Sequence, residues 1–232
     1  MSYTADDLDD GLEYQIDSSE EVDGVEIRSE DSEDDDLVKT EEEPTSKKRR
    51  KTNDKLKEKK RIKMEQDMDA KRKVPLLDST ELSHYFTSLL LKHNQDSTQL
   101  DYFKKQDFVD GSNYKLKRNL DNFKDFTDKY NKGLTIILSI SRVRVGDLFK
   151  SLGPKSKSIK VGKGYEGKVR EDTKYIIGTV ERILSLNFKA EHNIKSIILD
   201  ATYQDQKSHS VLDEPKLTQL LKGYEGTKII LY

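Results

Sequence analysis

The chain has 232 residues, of which 37% are charged and 33% apolar, with 42 basic and 44 acidic side chains. That length suits one domain of ordinary size with flanking segments, and the apolar fraction is low for a chain folded throughout. With no cysteine, disulfides and thiolate metal sites are excluded. No apolar run reaches the eighteen or so residues of a membrane span, and the acidic start MSYTADDLDD lacks the features of a signal peptide. A soluble intracellular protein is expected.

The near-neutral net charge of −2 hides a division. Residues 1–46 hold 19 acidic and 2 basic side chains, so the remainder holds 25 acidic and 40 basic ones. A body this basic implies a polyanionic partner such as nucleic acid, for which the acidic segment could compete. Residues 1–46 read as a disordered acidic tail, with Ser19, Ser29 and Ser32 in clusters that suit an acid-directed kinase.

At residue 47 the sign reverses. Lys47, Lys48, Arg49, Arg50 and Lys51 form a block dense enough for a nuclear localisation signal and a nucleic-acid contact, within a basic segment over 47–75. Asp54 to Arg72 predicts a solvated helix, because Leu56, Ile62, Met64 and Met68 are too few to make a core face. A helical extension follows over 76–132. Asp78-Ser79-Thr80-Glu81 reads as a capping box opening a helix through about Lys92. Residues 94–118 read as irregular, and Leu120, Phe123, Phe126 and Tyr130 lie on one face of a second helix, as core residues.

From Gly133 short apolar runs alternate with amphipathic stretches. Strands are expected at 134–140, 175–179, 194–200 and 227–232, with helices at VRVGDLFKSL, VERILSL and PKLTQLLKGY. This pattern predicts an α/β domain over 133–232 with a parallel sheet. The stretch SIKV looks too short and polar for a strand.

Catalytic signals are weak. Gly162, Gly167 and Lys168 fill most of a P-loop, but Val169 stands where the magnesium-binding hydroxyl belongs, and no buried strand or apolar helix flanks the loop. The pentapeptide KGYEG recurs at Lys222–Gly226 before a strand, which reads as a glycine turn and a flexible basic loop. His84, His93, His192 and His209 lack metal-ligand spacing, and Ser139 and Ser141 lack the glycine flanks of a nucleophile elbow. No active site, metal or cofactor is specified, and no small-molecule substrate is expected.

Read together, TIILSISR, YIIGTVERIL and SIILDATY resemble the strand-end motifs of the first RecA-like domain of DEAD-box RNA helicases, L-x-P-T-R-E-L, I-x-V-x-T-P-G-R-L and V-L-D-E-A-D. The resemblance implies a single incomplete RecA-like parallel sheet with flanking helices. No Walker A precedes the first motif, and Asp200 matches the magnesium-binding aspartate while Ala201 replaces the catalytic glutamate. With the acidic start and basic linker, the pattern is similar to the Cms-one family of proteins with a degenerate DEAD-box-like domain. That resemblance implies a non-enzymatic factor of the small-subunit processome (the ninety-S pre-ribosome), nuclear or nucleolar, with pre-rRNA or pre-ribosomal proteins as partners. Carried over by position, Ser141, Arg142, Thr179 and Arg182 are its RNA-backbone contacts, although Ile140 replaces the motif proline and Val180-Glu181 replaces Pro-Gly. The alternatives are an ATP- or GTP-binding helicase-like protein using Gly162–Lys168 and Asp200, and a charge-based chaperone acting through the acidic tail.

Overall fold

The computed structural model of the chain describes residues 46–93, 101–166, 168–186, 188 and 192–232, with side chains from residue 55 onward. The acidic segment over 1–45, the side chains of Lys47–Lys51 and Gly167 lie outside the described residues. Residues 46–232 form one compact unit.

The sheet has five parallel strands: β1 (Thr135–Leu138), β2 (Ser158–Lys160), β3 (Tyr175–Gly178), β4 (Ser196–Leu199) and β5 (Lys228–Leu231), in the order β2-β3-β1-β4-β5. The three inner strands are TIIL, YIIG and SIIL, each buried at all four positions. Continuous apolar runs are what a parallel sheet covered on both faces requires. Successive side chains point to opposite faces, which divides the core into two layers.

On one face Ile136, Ile176, Ile197 and Ile229 pack against α2 (Ser79–His93), α5 (Val180–Leu186) and α6 (Leu217–Gly223). On the other, Ile137, Ile177, Ile198 and Ile230 meet α3 (Leu120–Tyr130) and α4 (Arg142–Leu152). Phe123 and Phe126 of α3 are fully buried against the Tyr232 ring, with centroids 5.0 and 4.6 Å away, so these aromatics are core residues as expected. The two helices of 79–130 therefore cover opposite faces of the sheet and share its core.

Local signals act as the sequence suggests. Asp78 Oδ1 accepts from the Thr80 and Glu81 amides at 2.7 and 2.8 Å, and Glu81 Oε2 accepts from the Asp78 amide at 3.0 Å, closing the capping box. Two expectations are corrected. SIKV is a strand: β2 lies at the sheet edge, where pairing with β3 needs no continuous apolar run. The last helix begins at Leu217, not Pro215, because Val211–Asp213 first make a short 3-10 turn capped by Ser210, and Pro215 and Lys216 lie in the turn that follows it. At the opposite edge, backbone around Phe108 lies beside β5, with the Val109 amide donating to Ile229 at 2.9 Å.

Gly178 ends β3 where α5 turns back over the sheet. A Cβ there would sit 2.9 Å from Ile183 Cδ1 and 3.2 Å from Val161 Cβ. Gly178→Ala is expected to destabilise the fold by about 1–3 kcal/mol through overpacking. Adding Ile183→Val should restore part of that loss, read from urea midpoints at unchanged m-value.

Candidate functional site

In doubly wound sheets ligands bind beyond the carboxyl ends of the strands, where the strand order reverses. Here the reversal falls between β1 and β4, since the chain runs from β1 towards β2 on one side and from β4 to β5 on the other. The residues that follow these strands, Ser139 and Asp200, are fully buried and hydrogen-bonded, Ser139 Oγ to Asp200 Oδ2 at 3.0 Å.

The crevice is filled from within the chain. Arg144, in the first turn of α4, places Nε 2.8 Å from Asp200 Oδ2 and Nη2 3.2 Å from Asp200 Oδ1, a two-pronged pair. Its guanidinium carbon lies 4.4 Å from the centroid of the Tyr203 ring. Backbone closes the same region: the Ala201 and Thr202 amides both donate to the Tyr232 carbonyl, at 2.8 and 2.9 Å. Asp200, the residue aligned with a magnesium ligand, thus has both carboxylate oxygens engaged by Ser139 and Arg144. Among the described residues no three histidine or carboxylate side chains gather as a metal-binding set.

The sequence pointed to Arg142, whereas the arginine that enters the crevice is Arg144. Arg144, Leu148 and Leu152 recur at intervals of four and are all buried, so a cation sat on the core face of a predicted helix. Such a position requires a buried partner, and Asp200 supplies it. That signal was present and was missed.

The other expected contacts are distributed along the same edge. Ser141 caps α4, its Oγ accepting the Arg144 amide at 3.2 Å, and Arg142 beside it is exposed. Thr179 and Arg182 are half-buried at the start of α5, and the Thr179 carbonyl accepts the Ile183 amide at 3.1 Å. Since β1 and β3 are neighbours, the four residues belong to adjacent strand ends. Glu181 between them pairs with Lys216 at 3.4 Å, which offsets part of its charge.

The P-loop-like stretch is not brought to Asp200. It follows the edge strand β2, three strand spacings from β4, or about 14 Å in the plane of the sheet. Lys168 is exposed and pairs with Glu166 at 3.1 Å, while the Tyr165 hydroxyl donates to the Lys168 carbonyl. No helix begins among the described residues of 161–174.

The second element is α1 (Ser46–Lys73), whose sequence carries fourteen basic and five acidic residues over 28 positions, about 42 Å of helix. Of residues 55–73 only Met68 and Lys71 are half-buried; the rest are exposed. These two anchor it to the segment that follows Asp200. Gln204 Nε2 donates to the Met68 carbonyl at 2.9 Å, Ser208 Oγ lies 3.2 Å from Met68 Sδ, and Lys71 Nζ pairs with Asp213 at 2.9 Å. From residue 55 the helix is therefore fully exposed only up to its last two turns. Burial alone would raise the Asp213 pKa, but the Ser210 amide and Lys71 bring it below its ordinary value.

Fold and crevice together define a doubly wound α/β protein with an internally closed ligand crevice and a long basic helix. The chain is similar to Protein CMS1 of Saccharomyces cerevisiae (strain ATCC 204508 / S288c), at 29% identity over 200 residues, covering 68% of this chain and 67% of that protein. No protein-family model and no solved structure matches it.

Three outcomes are expected. Arg144→Met should cost about 3–5 kcal/mol by leaving the Asp200 charge buried and unpaired. The double variant Arg144→Met/Asp200→Leu should lose much less than the sum of the two single changes, a coupling that a double-mutant cycle measures. A carboxylate with a depressed folded pKa stabilises above its unfolded pKa and ceases to do so as pH falls through the folded one. The difference in Tm between the parent and Asp213→Asn should therefore be present near neutrality and vanish on acidification below 3.8, the ordinary aspartate value.

Proposed function

We propose that this protein is a non-enzymatic ribosome-biogenesis factor. It binds RNA or ribonucleoprotein in the small-subunit processome, acts in early pre-rRNA processing and small-subunit assembly, and resides in the nucleus and nucleolus. Pre-rRNA and pre-ribosomal proteins are its partners, with no cofactor, metal or small-molecule substrate. Kinship with Protein CMS1 supports the broad assignment.

The observation that carries the RNA-binding part is α1. A helix with nearly three basic residues for each acidic one, exposed over 55–67 and 69–70 and fixed at its end, presents a rod of cations to a phosphate backbone. Attraction of that kind is independent of sequence and weakens with salt as condensed counterions are released. Ser141, Arg142, Thr179 and Arg182 on the sheet's carboxyl edge lie where a second length of backbone would be positioned rather than read. The non-enzymatic part rests on the occupied Asp200 carboxylate, which leaves the nucleotide-binding alternative without its metal-ligating residue.

Changing Lys59, Lys60, Arg61 and Lys63 together to Gln should reduce the salt slope of single-stranded RNA binding by about 3, at roughly 0.7 per lost phosphate contact. An unchanged slope would exclude α1 as the contact. Replacing Lys47–Lys51 with Ala should abolish nuclear enrichment of a fluorescent fusion. Purified protein should show no RNA-stimulated ATP hydrolysis above background, and measurable turnover would overturn the non-enzymatic assignment.

A further inference from the structure

The open edge of the sheet has the chemistry of a docking site for a protein strand. In the β2–β3 ladder the Val161 amide donates to the Ile177 carbonyl at 2.8 Å and the Lys157 carbonyl accepts from the Lys174 amide at 2.9 Å. Backbone groups alternate sides along a strand, so the odd-numbered residues face β3. The amides and carbonyls of Ser158 and Lys160 then point outward, and among the described residues they meet no partner.

Beside this edge lies a cleft of about 260 Å³, lined by Phe149, Pro154, Lys157, Ile159 and Arg170 among others. Phe149 is 36% exposed and Pro154 is exposed, which gives the cleft an apolar wall. Its surroundings are cationic: of residues 150–174 eight are basic and three acidic. Lys157 pairs with Asp172 at 3.5 Å, whereas Lys155, Lys160 and Arg170 are exposed and make no ion pair among the described residues.

We propose that the β2 edge binds an extended segment of a partner protein that presents both aliphatic and acidic residues on the face of the cleft. Added outside β2, such a segment satisfies the free backbone groups of Ser158 and Lys160. It places an aliphatic side chain in the cleft beside Phe149 and Pro154 and sets its carboxylates against Lys155, Lys160 and Arg170. Strand addition draws its affinity from main-chain hydrogen bonds and its specificity from pockets for alternate side chains, and both elements are present here. Edge lysines also guard a sheet against indiscriminate pairing, and the same charge favours an acidic strand over a neutral one. A phosphate backbone would use the cations but has no donors and acceptors spaced for the ladder, nor an aliphatic group for the cleft. A polypeptide is therefore the occupant.

The test uses the full-length protein and a fluorescein-labelled peptide of repeating Val-Val-Glu-Glu, which presents Val and Glu in turn on each face, followed by anisotropy. Saturable binding is expected. Lys160→Pro removes an outward amide and should weaken binding by about tenfold, the value of one to two hydrogen bonds. Lys160→Gln should weaken it only a few-fold, an effect that shrinks at high salt. The same peptide N-methylated at alternate residues should lose binding to the unmodified protein, an arm independent of how any variant folds. Absence of saturable binding, or equal binding by the N-methylated peptide, overturns the proposal. So does Lys160→Pro weakening the binding of short polyuridylate as much as that of the peptide, which would make the edge an RNA surface.

Discussion

Much of this structure depends on one buried ion pair. Arg144 and Asp200 come from elements separated by more than fifty residues, and neither charge is tolerable in the interior without the other. Their pairing fixes the first turn of α4 against the end of β4. It also holds Ser139 at the end of β1 and stacks Tyr203 over the guanidinium. These are the residues that surround the reversal of strand order, the place where comparable sheets receive ligands. The protein has filled that place with its own side chains, so a position where comparable sheets receive a ligand here serves to lock the fold.

The lock extends to the most charged part of the molecule. Gln204 follows Tyr203 directly and grips the Met68 carbonyl, while Ser208 and Asp213 take Met68 and Lys71. A highly charged helix has little reason to adopt a defined direction through burial, since its own residues hide almost nothing. Its direction is instead imposed by a short loop whose root is the Asp200 centre. The basic face proposed to meet RNA is thus oriented by the same residues that close the crevice.

Legibility in the sequence followed burial. The inner strands TIIL, YIIG and SIIL were visible because both their faces are covered, and α3 and α4 because their apolar residues recur with the helical period. β2 was invisible: an edge strand of Ser, Ile and Lys carries no apolar run, and its pairing is supplied by β3. Ser141, Arg142, Thr179 and Arg182 were named from the motif resemblance and the sheet brings them to adjacent strand ends, whereas Arg144 was overlooked. The carboxylate it needs lies on another strand, and spacing along the chain holds no record of that distance.

The sequence by itself determined the alternation of strands and helices, the capping signals, the division of charge between the acidic segment and the basic remainder, and the faults in the P-loop-like stretch. These are properties of neighbouring residues, set by backbone sterics, period and solvation. Only the tertiary structure decided that Asp200 is spent on Arg144, that Gly162–Lys168 lies several strands away from it, that α1 is anchored by the loop after β4, and that β2 leaves two residues' backbone groups open. Each of these depends on which distant segments the sheet order brings together, and that order is a property of the packed whole.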